Sequence, residues 1–264
     1  MQVTYTQYAD LTEALQHFLH GVYPLLIVES TPGLGKTELV KDLFHTIPRH
    51  CWLSGRVTPV LFYTMLYQYQ DCPLVLDDVQ SLLDDKQCVE LLKAVCSTSD
   101  QDSHVSWLTK TTLPEGVPHQ FATSSHVLVL TNRWNSTNIH YGALADRGLH
   151  VHFQPAKAEI HRYAHSLVDP EIWQWFNQYL PLLRDVSLRP YVLAQKMQGL
   201  GLYWQHVLPR TLGLSEGEQC YIALELASPH STIDEKLNMF LAKYPDMHPR
   251  TYLRIHEQLQ KGDL

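Results

Sequence analysis

No stretch of this chain approaches the roughly 20 consecutive apolar residues that a membrane-crossing helix requires. Its longest apolar runs, Leu25-Leu26-Ile27-Val28 and Val127-Leu128-Val129-Leu130, have the length of buried strands. The first residues, Met1-Gln2-Val3-Thr4-Tyr5-Thr6, lack the basic-then-apolar order of a secretion signal. Cysteine is scarce. Cys51, Cys72, Cys88, Cys96 and Cys220 are scattered, odd in number and never in a C-x-x-C pair, which argues against a disulfide or zinc framework and for buried thiols in a reducing cytoplasm. Positive charge is also in short supply, with 20 Lys and Arg against 27 Asp and Glu for a net charge of −7. No global field draws such a chain onto nucleic acid, so any DNA contact needs a local patch. Internal repeats and low-complexity tracts are missing. Histidine, at 16 residues, is plentiful. His161 and His165 stand at helical i, i+4 spacing, but a zinc-protease helix would carry Glu at 162, where this chain has Arg162. They read as helix-surface histidines, with a metal pair as the alternative.

What is present is a folded composition: 264 residues, 45% hydrophobic and 18% charged, enough for one α/β core and one or two small accessory units. Apolar strands are expected at 24–29, 51–54, 74–76, 126–130 and 150–153. Helices are expected at 10–20, 37–46, 58–70 and 79–95. Apolar strands alternating with helices predict an α/β fold, a doubly wound parallel sheet covered on both faces. Residues 103–125 form an insert in which Val105, Trp107 and Thr109 alternate as in a β-hairpin arm. After Pro155 only helical patterns follow, near 156–167, 170–179, 188–197 and 203–208. Three domains are expected: the α/β core at 1–155, a helical lid at 156–213 and a small C-terminal unit at 214–264.

Ser30-Thr31-Pro32-Gly33-Leu34-Gly35-Lys36-Thr37 lies between a predicted strand and a predicted helix. Gly33 and Gly35 allow a tight turn whose backbone N–H groups point at phosphate oxygens, and the following helix N-terminus adds partial positive charge. Lys36 would reach the β- and γ-phosphates, and the Thr37 hydroxyl would ligate Mg²⁺. The nucleotide-contacting stretch is thus Thr31, Pro32, Gly33, Leu34, Gly35, Lys36, Thr37 and Glu38. Ser30 stands where the strict pattern has glycine, a change that a negative φ would tolerate. A second half-site is Leu74-Val75-Leu76-Asp77-Asp78, an apolar strand ending in two acids. Asp77 would hold Mg²⁺ and Asp78 would polarise the attacking water; the alternative is two acids that merely open the next helix.

This order of parts, over about residues 20–210, resembles the AAA+ P-loop ATPases, and in particular helicase loaders and small ATPases of phage and mobile elements. The resemblance implies ATP and Mg²⁺ as cofactors and three further roles. Asn132, ending Leu128-Val129-Leu130-Thr131-Asn132, matches the residue that senses the γ-phosphate. Arg147, in Ala143-Leu144-Ala145-Asp146-Arg147, matches the arginine finger, with Arg133 as a second candidate and a plain salt bridge to Asp146 as the structural alternative. Arg189, in Ser187-Leu188-Arg189-Pro190, matches the lid's sensor arginine, with Ser187 as helix N-cap. Most relatives carry glutamate at the position of Asp78, and the shorter acid implies slow turnover. Around Trp107 to Lys110 the insert resembles a hairpin that some AAA+ proteins use to touch nucleic acid; a plain edge hairpin is the other reading.

A finger acting in trans implies a homo-oligomer, usually a ring. The implied task is ATP-dependent remodelling or loading of a DNA-bound complex, with a helicase or transposase as protein partner. The rivals are a P-loop small-molecule kinase and a nucleotide-switched DNA-binding protein that hydrolyses almost nothing. Residues 215–264 read as a helix-turn-helix-like DNA-contacting unit. Ser231-Thr232-Ile233-Asp234 resembles a capping box opening a helix with Ile233, Leu237, Phe240 and Leu241 on one face. In a last helix, Tyr252, Ile255 and Leu259 would face inward, leaving Arg250, Thr251, Arg254 and Lys261 toward solvent. The acids Asp234, Glu235, Asp246, Glu257 and Asp263 favour the rival reading of a protein-docking surface.

Overall fold

The computed structural model describes residues 2–97, 103–134 and 139–261. Residues 262–264, Asp263 among them, lie outside the described residues. The chain divides into two compact units, Met1–Pro155 and Ala156–Leu264.

Among the described residues the first unit holds eight strands: β1 (Gln2–Tyr5), β2 (Leu25–Glu29), β3 (Cys51–Ser54), β4 (Leu74–Asp77), β5 (Ser103–Ser106), β6 (Gln120–Thr123), β7 (Val127–Thr131) and β8 (Leu149–Phe153). Six of them form one sheet in the order β1-β8-β2-β7-β4-β3, and every pairing in it is parallel. The central strands β2, β4 and β7 are apolar and buried without alternation, as a sheet covered on both faces requires. The covering helices are α1 (Tyr8–Leu19), α2 (Lys36–Phe44), α3 (Pro59–Gln68), α4 (Gln80–Leu83), α5 (Lys86–Val95) and α6 (Ile139–Ala145). Register sets the functional edge: Glu29 pairs with both Thr131 and His152, and Asp77 with Leu130 and Ser54. The carboxyl ends of β2, β4, β7 and β8 therefore finish side by side, where an open α/β sheet binds its ligands.

Two local features were not expected, the strand at the start of the chain and a break in the helix at 79–95, and the hairpin expected in 103–125 is found. The polar start of the chain forms β1, paired with β8 at the sheet edge; its short, half-exposed pattern carries no strong strand signal. The helix expected at 79–95 is broken into α4 and α5, because the Asp85 side chain accepts the backbone N–H groups of Gln87 and Cys88 at 2.8 and 3.1 Å and so caps a new helix. The insert folds as a separate two-stranded sheet of β5 and β6. Val105 and Trp107 are buried with the core, and Trp107 and Phe121 lie 5.6 and 5.4 Å from the Tyr63 ring. Trp107 is thus a packing residue of this core.

The second unit is helical: α7 (Lys157–Ala164), α8 (Pro170–Tyr179), a 3-10 turn (Leu180–Leu182), α9 (Leu188–Gly199), α10 (Trp204–Thr211), α11 (Glu216–Ala227), α12 (Ile233–Lys243) and α13 (Pro249–Lys261). Its centre is aromatic, with Phe176 stacked on Tyr191 at 3.7 Å and Trp175 edge-on to Trp204 at 5.6 Å. His161 belongs to this core and not to the surface. It is buried, stacks on Trp173 at 4.5 Å, and contacts the Tyr191 hydroxyl and the Asn177 Oδ1 at 3.0 and 3.2 Å. Burial lowers its pKa below the usual histidine value, as expected for a neutral core imidazole. Among the described residues no group of three or more His, Cys, Asp and Glu could hold a metal ion.

Two capping boxes open α11 and α12, Ser215 with Glu218 and Thr232 with Glu235. Inside this bundle Lys236 on α12 pairs with Glu225 on α11 at 2.8 Å, and the Tyr252 hydroxyl of α13 approaches Glu225 at 3.5 Å. Ile233, expected inward, is exposed, since Lys236 takes the inward place one turn on. Thr251, expected to face solvent, is half-buried, and its Cγ2 lies 3.1 Å from where a Cβ at Gly217 would stand. No helix among the described residues is long and apolar enough to cross a membrane, and all five cysteines are free and buried.

Candidate functional site

The loop between β2 and α2 begins at Ser30, whose N–H donates to the Thr131 carbonyl at 3.2 Å and so continues the sheet by one residue. Gly33 and Gly35 take φ of 86° and 77°, values open to glycine at little cost. Gly35 is also the N-cap of α2. The first N–H groups of a helix have no partner within it, so this turn presents them, with the positive end of the helix dipole, to an anion. Ser30 keeps a negative φ: among the described residues only Asp71 and Asp78 combine a side chain with positive φ. Serine therefore fits where the strict motif has glycine.

Lys36 opens α2, and its side chain folds back across the loop. Its ammonium donates to the Ser30 carbonyl at 2.9 Å, to the Ser30 Oγ at 2.7 Å and to the Asn132 Oδ1 at 3.1 Å. Only 8% of the residue is exposed. Burial lowers its pKa to about 8, against the opposing charges of Asp77, Asp78 and Glu29. Thr37, next in the helix, donates its hydroxyl to the Asp77 Oδ1 at 3.2 Å. Burial is the main influence on Asp77 and raises its pKa, while the Thr37 hydrogen bond lowers it. A hydroxyl and a carboxylate in contact at the mouth of a phosphate loop are the oxygen donors that Mg²⁺ takes, and they fit that ion.

The residues expected from sequence fall into two groups. Lys36, Thr37, Asp77 and Asn132 meet, although Lys36 and Asn132 are 96 positions apart. Asp78 stands beside them, close enough for its charge to act on Lys36 and Asp77. It is exposed, with φ of 55°, and its N–H donates to the Leu130 carbonyl at 3.1 Å. Arg147 follows α6; its guanidinium donates to the Ala143 carbonyl at 2.5 Å, and its charge acts on buried Cys96. That contact is with its own helix, not with Asp146. Arg133 is exposed in the turn after β7. Arg189 belongs to the second unit, exposed in the first turn of α9; Ser187 precedes that helix in extended conformation but makes no side-chain cap.

Two site residues escaped the sequence reading. The Tyr8 hydroxyl, from the first turn of α1, donates to the Leu34 carbonyl in the phosphate loop at 3.0 Å. Tyr8 continues the apolar face of Leu11, Leu15 and Phe18, and a buried tyrosine needs such a partner. Glu29, the last residue of β2, accepts the Trp134 N–H at 2.9 Å. An acid ending an apolar strand is the same signal that singled out Asp77.

No protein-family model and no curated protein matches this chain. Among solved structures it is similar to domain III of the Thermotoga maritima replication initiation protein DnaA, at 14% identity and a TM-score of 0.48, covering 77% of this chain and 91% of that one. It is also similar to a point mutant of Thermotoga maritima RuvB, at 15% identity and a TM-score of 0.49, covering 95% and 85%. A katanin structure follows at 13% identity and a TM-score of 0.42, covering 75% and 71%. Likenesses at such scores carry no argument; the all-parallel sheet, the glycine loop and the Lys36–Asn132 and Thr37–Asp77 contacts are what point to a phosphate-binding site. The chain has an all-parallel α/β core with a glycine loop at the carboxyl edge of its sheet, followed by a C-terminal helical unit.

Proposed function

We propose that this chain binds ATP with Mg²⁺ at the loop 30–38, hydrolyses it, and uses the cycle, as a homo-oligomer, to remodel or load a DNA-bound complex. The observation that carries the reading is the convergence on one point of the Lys36 ammonium, the Asn132 amide and the Thr37–Asp77 pair. Lys36 is held by Ser30 and Asn132. A triphosphate would take over part of that donation, so the cation stabilises the bound phosphates without a large rearrangement. Asn132, whose Oδ1 accepts from Lys36, would donate its amide N–H to the terminal phosphate. Thr37 and Asp77 would hold Mg²⁺, which when bound neutralises charge on the β- and γ-phosphates. Asp78 would accept a proton from the attacking water, and Arg147 of a neighbouring copy would stabilise charge in the transition state.

DNA contact is assigned to α13 of the second unit, where Arg250, Arg254 and Lys261 are exposed. Arg254 and Lys261 line, with Lys157, a groove of about 620 Å³ beside the 3-10 turn. Glu257 in the same groove is the feature that favours a protein partner instead.

The decisive experiment is hydrolysis and nucleotide binding by Lys36→Ala beside the wild-type protein. Removing the cation that bridges Ser30 and Asn132 should abolish both. Hydrolysis by the variant at the wild-type rate would reject the site, and tight ATP binding with no turnover by the wild type would leave a nucleotide switch.

A further inference from the structure

Glu29 is used by none of the roles above, yet it joins three strands. Its Oε1 accepts the Trp134 backbone N–H at 2.9 Å, and its Oε2 lies 3.2 Å from the His150 Nε2 and 3.5 Å from the His152 Nδ1. Both histidines are on β8, on one side of β2; Trp134 follows β7, on the other side. Trp134 is buried, and its ring lies 5.5 Å from that of His150.

Asn132 and Arg133 lie between β7 and Trp134. The segment is fastened at its start, where the Thr131 Oγ1 accepts the Arg133 N–H at 3.1 Å and donates to the Arg133 carbonyl at 2.9 Å. It is fastened at its end by Glu29. The residue between these two fastenings, Asn132, is the one whose Oδ1 reaches Lys36 at 3.1 Å. A hydrogen bond from a backbone N–H to a carboxylate is about twice as strong as one to a neutral acceptor. Two imidazoles on the second carboxylate oxygen restrict how far the first can swing.

We propose that Glu29 is a positioning residue for the phosphate site: by holding the Trp134 N–H it sets Asn132 against the Lys36 ammonium, with His150 and His152 aiming its carboxylate. This rests on the reading of the site as one that hydrolyses ATP. The test measures kcat and nucleotide Kd for Glu29→Ala, Glu29→Gln, Asn132→Ala and the Glu29→Ala/Asn132→Ala double variant, with Lys36→Ala in parallel. Glu29→Ala should lower kcat about ten- to a hundredfold, the scale on which small misplacements act, while Kd stays nearly unchanged. Glu29→Gln keeps a carbonyl acceptor for Trp134 and should recover most of the rate. Because Glu29 acts through Asn132, the double variant should be no slower than Asn132→Ala alone. Multiplying effects in the double variant, or joint loss of affinity and rate in Glu29→Ala, would overturn the proposal. If Lys36→Ala is inactive and Glu29→Ala is as fast as wild type, the positioning role alone falls. If Lys36→Ala is as active as wild type, the ATP site itself falls.

Discussion

The affinity of the site for ATP should weaken above pH 8, because its main cation begins there to lose its proton. Burial lowers the pKa of the Lys36 ammonium to about 8 from 10.5, against the pull of Asp77, Asp78 and Glu29. With a pKa of about 8, roughly nine-tenths of the side chains are charged at pH 7 and about one-tenth at pH 9. Bound phosphate favours the charged form and raises the pKa, so above pH 8 binding draws a proton from solution. By linkage each pH unit above 8 then costs about 1.4 kcal/mol of binding free energy, up to the pKa of the complex. Between pH 7 and pH 9 the ratio of charged fractions is about ten, and Kd should rise about tenfold. The assay is calorimetric titration with a non-hydrolysable ATP analogue and Mg²⁺ at pH 7, 8 and 9, in buffers of different ionisation heat so that proton uptake is counted. Lys36→Arg, always charged in this range, should flatten the profile if it binds at all. A flat Kd with no proton uptake in the wild type would refute the reasoning.

Four further outcomes are expected. Asp78→Asn keeps a residue that tolerates left-handed backbone, so ATP binding and stability should be retained while single-turnover hydrolysis is lost; unchanged turnover removes Asp78 from the mechanism. Arg147→Ala should cost on the order of 10³ in rate with ATP binding intact, and mixing it with Lys36→Ala protein should restore part of the activity if the arginine acts in trans. No rescue at any mixing ratio would count against that role. Substituting Arg250 and Arg254 together should weaken DNA binding and reduce the slope of log K against log salt by roughly 2; an unaltered slope would favour protein docking at α13. Lys236→Met leaves Glu225 without its ion pair in a mostly buried place and should cost about 2–3 kcal/mol in urea unfolding. Adding Glu225→Leu should recover much of that loss, and an additive double variant would show that the pair is not coupled.

Several of these sites were visible in the chain as written, others only once it was folded. Phosphate-loop chemistry is local: Gly33, Gly35, Lys36 and Thr37 lie within five positions, and the strand and helix on either side follow from unbroken apolar runs and 3.6-residue spacing. Asp77 and Asp78 are legible for the same reason, as acids at the end of Leu74-Val75-Leu76. Parallel pairing follows from strands apolar on both faces, and a capping box is legible near 231–235, although the structure closes it with Thr232 and Glu235, one residue on from Ser231 and Asp234. What tertiary structure decided depends on partners far away in sequence. The contact of Lys36 with Asn132 spans 96 positions and that of Glu29 with His150 spans 121, and both exist only because sheet order sets β7 and β8 on either side of β2. Polar β1 becomes a strand because β8 offers it an edge. Trp107 turns into the core because Tyr63 and Phe121 make a place for it. His161 is buried because Trp173 and Tyr191 cover it. Spacing along a chain specifies which residues share a face; only packing against distant elements decides whether that face meets water, a phosphate or an aromatic ring.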